Sequence, residues 1–166
     1  MVIIRKAAVN DLAAITEIYN DAVVHTTASF DIEPRSMEKQ RQWFDSHGPR
    51  FPVLVAEING KVAGWASLSQ WSDRCAYSAT AEASLYIREG DRDKGTGKAL
   101  LIALLDEGQK AGLHTIIARI VEGNEASIHI CESLGFMHIG AMKEVGRKFG
   151  RLLDVHLMQK IFSDTA

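Results

Sequence analysis

What this chain lacks narrows its class first. Two cysteines, Cys75 and Cys131, make neither a disulfide framework nor a zinc pattern, so reduced thiols are expected. Six histidines, His25, His47, His114, His129, His138 and His156, are scattered with no H-x-x-x-H pair, and no metal site is expected. No uninterrupted apolar run approaches the roughly 20 residues that span a bilayer, which sets a membrane-embedded protein aside. Basic excess is missing too. The 19 Lys and Arg against 21 Asp and Glu leave a net charge of −2, where nucleic-acid binding would call for a basic patch or stripe. The opening Met1-Val2-Ile3-Ile4-Arg5-Lys6 lacks the order of a secretory signal, so a cytoplasmic protein is expected. No internal repeat, low-complexity tract or linker divides the chain. What is left is the composition of a soluble globular protein, 46% hydrophobic and 24% charged, read as a single domain over residues 1–166 with enough length to bury a core.

Hydrophobic patterning then orders the elements. Val2-Ile3-Ile4-Arg5 reads as a first strand, and Asn10 is placed to cap a helix over residues 11–23 with Leu12, Ile15, Ile18, Tyr19, Ala22 and Val23 inward. Residues 25–34 are polar and irregular, and a second helix is expected over 36–46. Residues 53–58 and 61–68 flank Asn59-Gly60, a strong hairpin signal. A strand over 79–87 follows, then a glycine turn and a helix from about Thr96 to the stop at Gly112. A β-branched strand over 114–121, a helix over 124–134 ended by Gly135, and strands near 136–145 and 153–161 complete the chain. The order β-α-α-β-β-β-α-β-α-β-β argues for an α/β domain with a mixed central sheet of about seven strands and helices on both faces. Trp43, Trp65 and Trp71 are expected in the core or a pocket wall.

The most informative stretch joins the strand ending Leu85-Tyr86-Ile87 to the helix at Thr96. Strand, glycine turn and helix aim free backbone N–H groups and the positive helix end at an anion, and Gly95 and Gly97 allow close backbone approach. A P-loop is excluded, because Arg92 stands where its first glycine belongs and Ala99 follows the lysine. The dinucleotide G-x-G-x-x-G is excluded by Leu100 at its third glycine. Arg-x-x-Gly-x-Gly remains, running from Arg92 to Gly97, and an ordinary tight turn before a helix is its bland alternative.

This loop resembles the pyrophosphate loop of the GNAT superfamily of acetyl-CoA-dependent N-acetyltransferases. Asn124-Glu125-Ala126-Ser127, leading to Leu134-Gly135-Phe136, is similar to that family's second signature, and the element order is that of the GNAT fold. Three stretches are similar to the phosphinothricin and methionine sulfoximine (or methionine sulfone) acetyltransferase branch: Ala76-Tyr77, the run from Ala81 to Ile87, and the run from Val145 to Asp154. The resemblance implies acetyl-CoA as donor and, in the leading reading, direct acetyl transfer to the α-amine of a small amino-acid-like acceptor. The same chemistry on a protein N-terminus or another amine, and a non-catalytic acyl-CoA-binding regulatory module, remain alternatives. A homodimer is also implied, with residues 149–154 as a candidate interface.

Site residues follow from the chemistry and the resemblance together. An amine attacks a thioester only with a free lone pair, so a carboxylate must take its proton, directly or through one water. Glu82, on the strand leading into the cradle, is the candidate base. A backbone N–H of this segment, such as that of Leu85, is the candidate donor to the carbonyl oxygen. The resemblance places cofactor contacts at Leu85, Tyr86 and Ile87, at Arg92, Asp93, Lys94, Gly95, Thr96, Gly97 and Lys98, and at Asn124 and Ser133. Asn124 doubles as a helix cap, and plain surface charge is the alternative for Lys94 and Lys98. Cys131 stands where relatives have tyrosine or phosphinothricin acetyltransferases histidine, either a weak acid for the leaving thiolate or a small buried hydrophobe. For the acceptor, Arg74 offers a fork matching a carboxylate, supported by Ser72, Asp73 and Tyr77. Ala83 and Ser84 flank the base, and the resemblance adds Phe30 and Glu33 as an acceptor-facing wall.

Overall fold

A computed structural model describes residues 1–163. Its strands are β1 (Val2–Lys6), β2 (Val53–Ile58), β3 (Lys61–Gln70), β4 (Thr80–Ile87), β5 (Thr115–Val121), β6 (Met137–Lys148) and β7 (Arg151–Ile161). The helices are α1 (Leu12–His25), α2 (Met37–Asp45), α3 (Thr96–Lys110) and α4 (Glu125–Ser133). All seven strands form one sheet in the order β1-β2-β3-β4-β5-β7-β6. Every neighbouring pair is antiparallel except β4 with β5. No helix among the described residues is long and apolar enough to cross a membrane.

Strand alternation sorts side chains onto the two faces. Val53, Val55 and Trp65 face α1, packing with Leu12, Ile15, Ile18, Tyr19 and Val23. Their sequence neighbours Leu54, Ala56 and Ala66 face the other way, into the core beneath α3 with Leu100, Leu101, Leu104 and Ile116. Helix α4 closes that second face through Ile128, Ile130 and Cys131, joined by Leu134 just after its end. Each sheet face is thus roofed by helices, and the edges fall to β1 and β6.

Two details differ from the sequence reading. Asn10 does not cap α1: a 3-10 turn over Val9–Asp11 precedes the helix, and Asp11 organises the entry instead. The Asp11 carboxylate accepts from Arg5 Nη1 at 2.8 Å, Arg5 Nη2 at 2.9 Å and the Ala8 N–H at 2.7 Å. Hydrogen bonding from Arg5 holds its carboxyl below the usual carboxylate range against the opposing effect of burial. A carboxyl depressed in the folded state stabilises above its unfolded pKa and loses that contribution as pH falls through the folded value. Asp11→Asn is therefore expected to lose about 1–2 kcal/mol at neutral pH. The gap to wild type should close in acid, as read by urea unfolding at several pH values, and a pH-independent gap would move the effect away from ionisation.

The second difference is the length and path of the β6–β7 hairpin, which starts one residue later and runs three residues beyond the expected strand. Register breaks between His138 and Gly140 and between Met142 and Gly146 bend it. At the second break the Asp154 carboxylate accepts from the Glu144 N–H at 2.8 Å and from Lys143 Nζ at 2.6 Å. The bend carries the tip across the end of the sheet, where Gly146 lies against Phe30; an added Cβ would overlap that ring. There Lys148, 5% exposed, donates to the Ser29 carbonyl at 2.6 Å. The irregular segment after α1 is thereby strapped over the sheet. Within residues 149–154, Phe149 and Leu152 stand exposed at the hairpin tip.

Candidate active site

The site arises where the sheet's one parallel pairing stops. β4 and β5 match over Thr80 with Thr115, Ala81 with Ile116 and Glu82 with Ile117, and no further. Beyond that rung β4 stays paired to β3 as far as Ile87 with Gly64, while β5 stays paired to β7 as far as Val121. The two strands therefore diverge, and the β5-side edge of β4 past Glu82 has no strand partner among the described residues. A cavity of about 400 Å³ opens in this wedge, walled by Glu82 to Tyr86, by Ala118 to Val121, and by Asn124, Ser127 and Cys131 of the α4 region. Thr27 to Asp31 and Met142, Val145 and Val155 close it from the strapped segment and the hairpin.

An aromatic column fixes the β4 wall. Tyr86 stacks on Trp65 at 5.0 Å and meets Tyr19 edge-on at 5.2 Å, while Trp65 meets Trp43 at 5.2 Å. Burial pushes the Tyr86 phenol up, keeping it a hydrogen-bond donor. Tyr19 in turn donates to Asp31 and lies 3.0 Å from Ser29 Oγ. Arg35 sits 4.3 Å over the Tyr19 ring and pairs with Asp31 at 3.2 Å, so the strapped segment is pinned to α1.

Glu82 stands on the last rung before the wedge. Arg119 donates to both its oxygens, through Nε to Oε2 and through Nη2 to Oε1, the latter at 2.7 Å. Register explains the meeting: Glu82 is level with Ile117, and Arg119, two residues on, shares the same face. Its guanidinium also lies 5.6 Å over the Trp71 ring. The side chains are 51% (Arg119) and 19% (Glu82) exposed, so the pair is solvent-screened and worth about 0–1 kcal/mol to folding. Arg119 was not legible as a site residue from sequence, because a β-branched strand does not announce its neighbour. The period of two from Ile117 would have found it once the parallel register was known.

At the far end, Gly95 caps α3 in the left-handed region with φ 79°, and Asp93 also has positive φ, 61°. Among the described residues, no acceptor meets the backbone N–H groups of Asp93 to Lys98. Thr96, 1% exposed, has a buried Oγ1 with no hydrogen-bond partner among them. Gly97 has a packing role as well: a Cβ there would lie 3.2 Å from Ile130, 3.5 Å from Leu85 and 3.7 Å from Ile87. Lys94 folds back onto its own turn, donating to the Gly90 carbonyl at 2.7 Å and pairing with Asp91 at 3.2 Å. Arg92 Nε reaches the Ile87 carbonyl at 3.4 Å, and Lys98 is exposed.

The remaining sequence candidates divide by place. Phe30, Glu82, Ala83, Ser84, Leu85, Tyr86 and Asn124 wall the cavity, and Asn124 also caps α4, its side chain accepting from the Ser127 N–H at 3.3 Å. Ser133 is exposed and donates to the Ile130 carbonyl at 2.8 Å. Glu33, Ser72, Asp73, Arg74 and Tyr77 lie outside the cavity walls. Arg74 precedes a 3-10 turn over Cys75–Tyr77, where its N–H donates to Ser72 Oγ at 3.2 Å.

A family model described as an acetyltransferase (GNAT) domain matches residues 4–157. The chain belongs to the GNAT acetyltransferase family. It is similar to the L-methionine sulfoximine/L-methionine sulfone acetyltransferase of Pseudomonas aeruginosa, with 43% identity covering 94% of this chain and 92% of that protein. A GNAT superfamily phosphinothricin acetyltransferase from Sinorhizobium meliloti, solved in complex with AcCoA, superimposes with TM-score 0.95 at 35% identity, covering 98% of this chain and 89% of that one. A ribosomal-protein-alanine N-acetyltransferase from Brucella melitensis superimposes with TM-score 0.93 at 40% identity, covering 96% and 99%. The protein is thus an acetyl-CoA-dependent N-acetyltransferase with the GNAT fold. The residues of this GNAT enzyme fit the donor. Unclaimed N–H groups lie at the α3 N-terminus, where a pyrophosphate would complete them, and the edge of β4 left unpaired among the described residues is free to take a pantetheine amide as a strand would.

Proposed function

We propose that this GNAT enzyme acetylates the α-amine of a small amino-acid-like acceptor of the methionine sulfoximine, methionine sulfone or phosphinothricin type, with Glu82 as general base. The observation that carries the reading is the Glu82 carboxylate in the cavity wall, on the rung where β4 and β5 part. The donor supplies an acetyl thioester, on which a new C–N bond to the amine replaces the C–S bond and the thiolate leaves with its electron pair. Glu82 takes the proton that the ammonium must lose, directly or through one water. The backbone edge between Ala83 and Ile87 supplies N–H donors for an oxygen that gathers negative charge. Asp93 to Lys98 anchor the phosphates, and Phe30 limits the acceptor's side chain.

Burial decides how Cys131 takes part. It pushes the thiol up to about 11, so at neutral pH only about one molecule in ten thousand carries the thiolate. That disfavours an acetyl-cysteine intermediate and favours direct transfer. Cys131→Ala is expected to keep turnover within about threefold of wild type, since a general acid is dispensable to a thiolate leaving group. Stopped assays showing a hundredfold loss would restore a covalent or acidic role.

The function itself is tested by free-thiol release from acetyl-CoA with a panel of acceptors: methionine sulfone, methionine sulfoximine, phosphinothricin, simple amines and a ribosomal-protein-derived peptide. Turnover concentrated on the amino-acid analogues supports the reading. Turnover only on the peptide would favour the second reading, to which the likeness to the Brucella melitensis enzyme lends weight. Tight acetyl-CoA binding without release on any amine would leave a regulatory module.

A further inference from the structure

We infer that Arg119 is the acceptor's carboxylate receptor, and that the Glu82–Arg119 pair is exchanged for the acceptor's own two charges when an α-amino acid binds. The inference rests on the reading of Glu82 as base and names the feature of the acceptor that the site selects. Glu82 and Arg119 face each other across the wedge, both in the cavity wall, with two parallel hydrogen bonds between fork and carboxylate. A zwitterionic α-amino acid carries an ammonium and a carboxylate on one carbon, the same two charges in reverse. Its carboxylate fits the planar fork of Arg119, and its ammonium then fits Glu82.

The exchange serves catalysis as well as binding. Arg119 takes one lone pair on each Glu82 oxygen, about two of the carboxylate's four acceptor sites, and its positive charge lies beside the group that must accept a proton. Once the acceptor's carboxylate takes the fork, Glu82 is released beside the very ammonium it must deprotonate. The pair is exposed enough to be broken without collapse of the sheet, and Trp71 under the guanidinium keeps the fork in place through the exchange. An amine without a carboxylate has to part the pair and leave Arg119 without an anion, so the site discriminates against it. Arg74, the arginine singled out by the sequence, lies outside these walls, whereas Arg119 lies within them.

The experiment compares methionine sulfone with its decarboxylated counterpart, 3-(methylsulfonyl)propylamine, in wild type, Arg119→Gln, Arg119→Lys and Arg74→Ala. In Arg119→Gln the KM for methionine sulfone is expected to rise about 10- to 100-fold, while the KM for acetyl-CoA is unchanged. The preference in kcat/KM for the carboxylate-bearing amine should collapse in the same variant. Arg119→Lys keeps the charge without the fork and should fall between, which also guards against a glutamine variant that misfolds. An equal loss on both amines would overturn the inference and leave the function standing. So would a collapse of preference in Arg74→Ala with none in Arg119→Gln. If wild type releases no thiol with any amine, the proposed function fails first and this inference falls with it.

Discussion

Glu82→Gln is expected to lower kcat by about 10²–10⁴, the size of a general-base contribution, with acetyl-CoA affinity hardly moved. Glutamine keeps the volume and one acceptor oxygen but removes the basicity. Its amide NH2 also meets Arg119 donor against donor, so one of the two hydrogen bonds that now hold the pair is lost. The acceptor's KM should therefore change modestly while turnover falls steeply, a split that marks an interaction made in the transition state. The pH profile is the second readout. Without a base, reaction waits on acceptor molecules already neutral in solution, so kcat/KM of the variant should climb about tenfold per pH unit up to the amine's own pKa. Wild type should be flatter over the same range. Near-normal turnover of Glu82→Gln at neutral pH would withdraw the assignment and leave the family and donor untouched.

Most of the architecture was legible before the structure, because it is written in short-range patterns. The Asn59-Gly60 turn, the three-to-four spacing of Leu100, Leu101, Leu104 and Leu105, and Asn124 ahead of α4 each specify an element from within a few residues. The entry to α1 differs from the cap expected at Asn10 because a 3-10 turn intervenes, held by the Asp11 carboxylate against Arg5 of β1 and the Ala8 N–H. What the sequence could not show is pairing between distant strands. That β4 and β5 separate after a single short parallel stretch creates the cavity, and the same divergence sets Arg119 opposite Glu82. The bend in β6 is similarly hidden, since it depends on Asp154 reaching back across the hairpin. Strand existence is local, whereas the site is a product of register.

Gly97→Val is expected to weaken acetyl-CoA binding by about 10- to 100-fold, measured by calorimetry well below the variant's unfolding temperature. Gly97 lies in the first turn of α3, buried between α4 and β4, and the space is tight: a Cβ alone would be 3.2 Å from the Ile130 side chain. Two further methyls would push that turn away from Leu85 and Ile87, carrying the unclaimed N–H groups with it. On the proposed reading, in which these groups hold the pyrophosphate, each donor that misses a phosphate oxygen would forfeit a charge-assisted hydrogen bond of about 1.5–3 kcal/mol. The same overpacking should cost about 1–3 kcal/mol of stability, so a thermal shift accompanies the loss of affinity. Gly95→Ala separates the two effects. Its Cβ would meet no protein atom within 4 Å, so its cost to folding is that of a left-handed backbone of φ 79°, about 1–2 kcal/mol, without displacement of the packed turn. A smaller loss of affinity is expected there than at Gly97. Stability lost in Gly97→Val with acetyl-CoA affinity unchanged would show that this turn packs the helix but does not hold the pyrophosphate.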